Sequence, residues 1–284
     1  MMSSFTHKDI ADYYNQTLPH YRFWWKMNQS KSIHYGIWDQ ETNNFQEALL
    51  NTNRQMAALA EVQLNSRVMD AGCGVGGAAF FLASNFACRV EGISLSNKQI
   101  ELAKGFSVAL NLQKLTHFQV ADYNKTPFEK ESFDLIWACE SLCYAENKNL
   151  FLAEAHRLLK PGGKMVLSDY FLTTRGITDE RQLMKRWGDT WAISQFNEMN
   201  DFKNALQQNR FQIIEDKDFS QHIYPSSKRM YWAYLIGALP SMLYNMTHRT
   251  SRFAKHHYLS GKFQYLALQQ KLWEYHIVIV QKME

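Results

Sequence analysis

Arg67-Val68-Met69-Asp70-Ala71-Gly72-Cys73-Gly74-Val75-Gly76-Gly77 decides the fold. A short apolar run ends on an acid, a glycine-dense turn follows, and Ala78-Ala79-Phe80-Phe81-Leu82-Ala83 reads as a helix. This is a strand, a tight turn and a helix N-terminus. Glycine serves in such a turn because the backbone must take positive φ and let a ligand come close. The free N–H groups of a helix start then favour electron-rich ligand atoms. Two spacings overlap here. Gly72, Gly74 and Gly77 fit G-x-G-x-x-G, the spacing of a dinucleotide site. Gly72, Gly74 and Gly76, with Asp70 two residues ahead, fit D-x-G-x-G-x-G instead.

Downstream, strand and helix patterns alternate. Strands are predicted over 88–94, 118–122, 133–138 and 165–168, with helices over 97–110 and 147–159 between them. Ser96 is placed to cap the first of these helices. Lys160-Pro161-Gly162-Gly163 stops the second. Helices are expected across 171–210, then strands at 211–217 and 275–280. This order predicts an α/β fold with a parallel sheet of seven strands and helices on both faces. Ligands then sit at the carboxyl ends of the strands.

Two stretches lie outside the alternation. Residues 7–40 crowd Tyr13, Tyr14, Tyr21, Phe23, Trp24, Trp25, Tyr35 and Trp38 around His20 and His34. A helix is expected from Asp9 to Tyr21, broken or capped near Pro19, and a loop from Ser30 to Asp39. Most of these rings suit packing, but a lid over a substrate is an equal reading for Tyr14, His34 and Tyr35. A helix over 42–62 leads into the glycine strand. Residues 226–270 are too long for a simple connection and read as an inserted helical cap. The division expected is an N-terminal aromatic lid segment, 1–62, and a main domain, 63–284, with a cap insertion at about 221–270.

Composition narrows the class. The 284 residues are 46% hydrophobic, enough for one large domain. The net charge of +4 comes with scattered Lys and Arg, so no nucleic-acid groove is demanded. Cys73, Cys88, Cys139 and Cys143 make no C-x-x-C, so neither a zinc site nor a disulfide framework is expected, and a reduced cytoplasm is the plain reading. No run of about 20 apolar residues suggests a spanning helix.

The end of the second strand weakens the dinucleotide reading. A nicotinamide site wants an acid there, and Ser94 holds the place. Asp70-x-Gly72-x-Gly74-x-Gly76 resembles motif I of the class I S-adenosylmethionine (SAM) methyltransferases. Ser94 departs from the usual methyltransferase pattern as well, which also often carries an acid there. Gly92-Ile93-Ser94-Leu95-Ser96-x-x-Gln99 resembles the branch with cyclopropane fatty-acid synthases and sterol, tocopherol and prenyl-diphosphate C-methyltransferases. Asp122, then Pro127-Phe128 and Phe133-Asp134-x-Ile136, looks like that family's adenine-binding acid and fourth strand. Leu158-Leu159-Lys160-Pro161-Gly162-Gly163 looks like its fifth-strand entry. The resemblance covers roughly 10–170. It implies a Rossmann-like methyltransferase sheet and SAM as cofactor. It implies a cofactor wall of Tyr35, Asp70, Gly72, Gly74, Gly76, Ser94, Leu95, Gln99, Asp122, Tyr123 and Cys139.

The reacting carboxylate expected is Glu140, directly after the fourth strand, where the resembling branch also carries a Glu. It would serve as base or as a substrate-orienting carboxylate. Tyr14, His34 and Tyr144 complete the expected catalytic set, with Trp191 a weaker pocket candidate. The greasy cap and the aromatic N-terminal segment point to a small hydrophobic acceptor, an isoprenoid, sterol-like molecule, quinol or lipid, methylated at carbon. Small-amine N-methylation stands as the alternative, and a non-catalytic SAM-binding partner protein or an RNA methyltransferase stays open. Peripheral membrane contact through the cap is a further expectation.

Overall fold

The computed structural model describes residues 4–284. Helix α1 (His7–Trp24) opens under a reciprocal cap in which the Thr6 hydroxyl accepts from the Asp9 N–H and the Asp9 carboxylate from the Thr6 N–H. It runs on through Pro19, where a break was expected. Its buried face (Ile10, Tyr13, Thr17, Leu18, Tyr21) continues past the proline, which sits exposed on the other side. Packing outweighs the lost hydrogen bond. A single turn, α2 (Met27–Ser30), leads to a loop, and α3 (Phe45–Ala60) then starts at an Asn44 cap.

The sheet follows in alternation: β1 (Arg67–Ala71), α4 (Gly77–Phe86), β2 (Arg89–Ser94), α5 (Asn97–Ala109), β3 (Thr116–Val120), β4 (Phe133–Cys139), α6 (Lys148–Leu158) and β5 (Leu159–Leu172). Ser96 caps α5 through the Gln99 N–H at 3.1 Å. Next come α7 (Thr174–Ile177), α8 (Leu183–Trp191), a two-residue β6 (Asn197–Glu198), α9 (Met199–Gln208) and β7 (Phe211–Asp218). The helices α10 (Ser220–Thr247), α11 (Arg252–His256) and α12 (Ser260–Gln269) precede β8 (Trp273–Lys282). Among the described residues, no helix is long and apolar enough to cross a membrane.

The strand order is β3-β2-β1-β4-β5-β8-β7, with β6 added beside the end of β5. β6 is the eighth strand, too short to leave a pattern in the sequence. The strands from β3 to β5 are parallel, but β8 runs antiparallel to both β5 and β7, which corrects the all-parallel expectation. Chain order reverses between β1 and β4. That reversal opens a crevice at their carboxyl ends.

Period-two alternation builds a core on each face. Val68 and Trp137 point into one core; Met69, Ile136 and Ala138 point into the other. Each fully buried large apolar side chain contributes roughly 1.5–3 kcal/mol by leaving water. The glycine turn is held just beyond this double-sided core.

Candidate active site

A cavity opens at the carboxyl ends of β1, β2, β4 and β5. The turn after β1 forms its floor. Gly72 has φ +88°, and a Cβ there would lie 2.4 Å from the Ser141 Cβ. Ser141 is itself pinned, its hydroxyl donating to the Ala71 carbonyl at 2.6 Å. Gly76, at φ +93°, starts α4. Asp70 is buried with Oδ2 unpartnered, and burial pushes its carboxyl up to about 7.

Beside the turn, the Ser94 hydroxyl donates to Gln99 Oε1 at 2.8 Å and so orients the amide. The Gln99 Nε2 donors are left buried without a partner. Tyr123 stands on the adjoining wall, its hydroxyl donating to the Ser141 carbonyl at 3.1 Å and its ring edge-on to Phe151. Buried polar atoms without partners cost free energy unless a ligand satisfies them. Asp70 supplies an unused acceptor here and Gln99 an unused donor.

Glu140 follows β4 at φ +50°, a left-handed conformation that costs a side chain of its size. Three donors hold it. The Tyr35 backbone N–H reaches Oε1 at 2.7 Å, the Tyr275 hydroxyl reaches Oε1 at 2.8 Å, and the Tyr170 hydroxyl reaches Oε2. Of about four lone-pair sites on a carboxylate, these leave one on Oε2. Burial raises its pKa to about 8 against the pull of those bonds.

His34, also buried in the cavity lining, is next in the chain to the Tyr35 whose N–H holds Glu140. Its Nδ1 lies 2.7 Å from the Tyr35 carbonyl. A carbonyl only accepts, so Nδ1 carries the proton and Nε2 bears the lone pair. Nε2 has no partner among the described residues. Burial lowers the imidazole pKa to about 4, so the ring is neutral at pH 7.

Of the residues expected from the sequence, Tyr14, His34, Asp70, Gly72, Gly74, Ser94, Leu95, Gln99, Tyr123, Cys139, Glu140, Tyr144 and Trp191 line this one cavity. Three do not. The Tyr35 ring turns away into an aromatic cluster and its hydroxyl donates to Gln264; only its backbone reaches Glu140. Gly76 lies behind the turn. The Asp122 carboxylate accepts from the Asn124 N–H at 2.9 Å and faces His7, beside the wall rather than on it. The sequence reading passed over Tyr170 and Tyr275, whose hydroxyls hold Glu140. It also passed over Asp169, whose Oδ2 accepts the Cys143 N–H at 2.8 Å and steadies the turn after Glu140. A Tyr at the end of β5 was the one available signal, since strand ends face the crevice.

Tyr170 is braced by its ring neighbours. Trp187, Trp191, Phe196, Trp273, Tyr35 and Tyr275 surround it at centroid distances of 5.1–6.4 Å. This cluster joins the loop before α3 to β5, α8 and β8, and fixes the rim of the cavity.

Comparison with known proteins gives this arrangement its context. The family model described as "Methyltransferase domain" matches residues 69–167. The chain is 27% identical over 198 residues to the 27-O-demethylrifamycin SV methyltransferase of Amycolatopsis mediterranei, covering 69% of this chain and 72% of that one. It is 28% identical over 238 residues to the chloroplastic tocopherol O-methyltransferase of Arabidopsis thaliana, covering 77% and 67%. Among solved structures, a geranyl diphosphate methyltransferase in complex with GPP and sinefungin superposes with a TM-score of 0.79 at 18% identity, over 98% of this chain and 99% of that one.

Proposed function

We propose that this chain, an S-adenosylmethionine-dependent methyltransferase, methylates a small hydrophobic acceptor that presents a hydroxyl group to His34. The acceptor belongs to the isoprenoid, sterol-like, quinol or lipid class. The observation that carries this reading is the unpartnered, proton-free Nε2 of a buried, neutral imidazole in the cavity wall.

We assign the β1–β2 side of the cavity to SAM. The open turn at Gly72 and Gly74 accepts the methionine part, Asp70 Oδ2 its ammonium group, and the Gln99 amide a ribose hydroxyl. Asp122 and Tyr123 stand next to the adenine position. SAM, when bound, supplies a methyl carbon made electrophilic by its sulfonium.

The acceptor side is then Tyr14, Tyr21, Tyr144, Tyr170, Trp191, His34 and Glu140. Aromatic walls bury an apolar acceptor and hold its nucleophilic atom in line, and such positioning removes roughly 7–11 kcal/mol of barrier. His34 accepts the hydroxyl hydrogen and takes the proton onto Nε2 as the new bond forms. A base of low pKa suffices, because the hydroxyl becomes strongly acidic as its oxygen takes the methyl group and moves toward an oxonium. Glu140, with three of its lone pairs engaged, orients the acceptor through the one site left on Oε2. A quinol joins this chemistry to the carbon methylation expected from the sequence, since its ring carbon beside the hydroxyl is also nucleophilic and the hydroxyl proton can pass to His34 Nε2 as the carbon–carbon bond forms.

An amine acceptor is the second reading. It is favoured by the juxtaposition of Glu140 with the same aromatic faces, a surrounding that suits a cation.

The test uses methyl-labelled SAM with a panel of quinols, prenyl alcohols and sterols, followed by partition into organic solvent. Label is expected in the organic phase. His34→Gln should lower kcat by about 10²-fold or more with SAM affinity kept. Label confined to water-soluble amines, or full activity in His34→Gln, defeats the proposal.

A further inference from the structure

One face of α10 is left without a partner. Trp232, Leu235, Ile236, Leu239, Met242, Leu243 and Met246 recur at three- and four-residue spacing and so form one stripe along the helix. All are exposed: Ile236 by 67%, Leu239 by 65% and Met246 by 82%. The opposite face is occupied. Met230 is buried where its carbonyl meets Gly261 of α12, and Gly237 lies against Trp24 at the end of α1. Phe23, exposed by 73%, stands edge-on to that Trp24 at 5.0 Å. Single exposed apolar residues need no explanation, but a continuous stripe over four turns does.

Charge says what covers it. From Phe219 to Trp273 the chain holds seven Lys and Arg (Lys228, Arg229, Arg249, Arg252, Lys255, Lys262, Lys271) and no Asp or Glu. The segment is therefore +7 in a chain of net +4, which leaves the rest at −3. Among the described residues only Arg252 of these seven forms an ion pair, with Asp9. An apolar stripe beside a one-signed cationic field matches a surface that is negative outside and hydrocarbon beneath. A nucleic acid would match the charge and leave the stripe in water.

We propose that the outer face of α10, with Phe23, docks on an anionic lipid bilayer. The helix lies in the interface rather than across it, since no helix among the described residues is apolar and long enough to span. Leu235, Ile236, Leu239 and Leu243 enter the acyl boundary, while Lys228, Arg249 and Lys255 meet headgroup phosphates. By its other face α10 rests against the end of α1, the helix whose Tyr14 and Tyr21 line the cavity.

The test is vesicle co-sedimentation of the full chain. Vesicles are phosphatidylcholine alone, or phosphatidylcholine with roughly equal phosphatidylglycerol. The chain is expected on the anionic vesicles and to be released by high salt. Ile236→Glu with Leu239→Glu should weaken that binding at least about tenfold and leave the melting temperature and SAM affinity unchanged. Arg249→Glu with Lys255→Glu should weaken it through charge alone. Absence of binding, equal binding to both vesicle types, or undiminished binding by the Ile236/Leu239 variant overturns the proposal. So does a dimer in sedimentation velocity that the same variant dissolves, since the occupant is then a second copy of this chain.

Discussion

The backbone N–H of Tyr35 donates to Glu140 Oε1 at 2.7 Å, joining residues 105 positions apart. One is in the N-terminal loop and the other at the carboxyl end of β4. The bond means that the position of that loop and the charge of Glu140 are coupled.

Tyr275→Phe removes one of the three donors on Glu140. A carboxylate that loses a hydrogen bond is less stable as the anion, so the Glu140 pKa should rise from about 8 by roughly one unit. The acid limb of kcat against pH should move up by the same amount while KM for SAM stays put. An unmoved limb would show that Glu140 does not titrate in the working range.

Stability of the ligand-free protein should fall as pH rises. Folding raises Glu140 from 4.5 to about 8 and Asp70 from 3.8 to about 7. Groups raised in this way stabilise the fold fully below their unfolded values, and the contribution is lost as pH climbs through the folded ones. Urea unfolding between pH 5 and 8, the range set by those two groups, should show a decline on the order of a few kcal/mol. Glu140→Gln should flatten part of it. His34 has the opposite sign, its contribution being lost as pH falls from 6.5 through about 4, so it offsets part of what the two carboxyls gain below pH 6.5.

Gly72→Ala places a methyl group 2.4 Å from the Ser141 Cβ at a backbone φ of +88°. Strain of this kind costs roughly 1–3 kcal/mol, and the turn must shift to relieve it. Calorimetry should show a SAM affinity lowered by about tenfold or more. Affinity equal to the parent protein would remove the turn from the binding site.

Trp187→Ala empties the centre of the ring cluster. Truncations of a buried Trp cost about 3–5 kcal/mol. Trp187 packs on Tyr170 at 5.1 Å, so the donor to Glu140 should loosen too. The expected signature is a lowered melting temperature together with reduced kcat. Reduced stability with unchanged kcat would mean that the remaining rings position Tyr170 without it.

The parallel half of the sheet was readable because its determinants are local. Asp70 to Gly77 spell a strand, turn and helix start within a dozen residues, and Ser96 caps α5 from three residues away. Glu140 was readable because it directly follows a strand. Its partners Tyr170 and Tyr275 were not, since they lie 30 and 135 positions off and no short-range pattern records such a meeting. The Tyr35 ring misled for the same reason: its cavity-side neighbour is close in sequence, but its burial is set by β5, α8 and β8. Pro19 misled because a local rule was overridden by a buried helix face.

The reversed direction of β8 has a practical side. Its first residues pair with the end of β5, Trp273 opposite Leu172, and Gln281 pairs with Lys164 at the start of β5. The strand enters at the rim of the cavity, delivers Tyr275 there, and leaves at the far edge. A label or tether carried near the end of β8 therefore hangs beneath the sheet, while the same cargo at the start of α1 crowds the helix whose Tyr14 and Tyr21 line the cavity. Surface attachment for assay or immobilisation belongs at the end of β8.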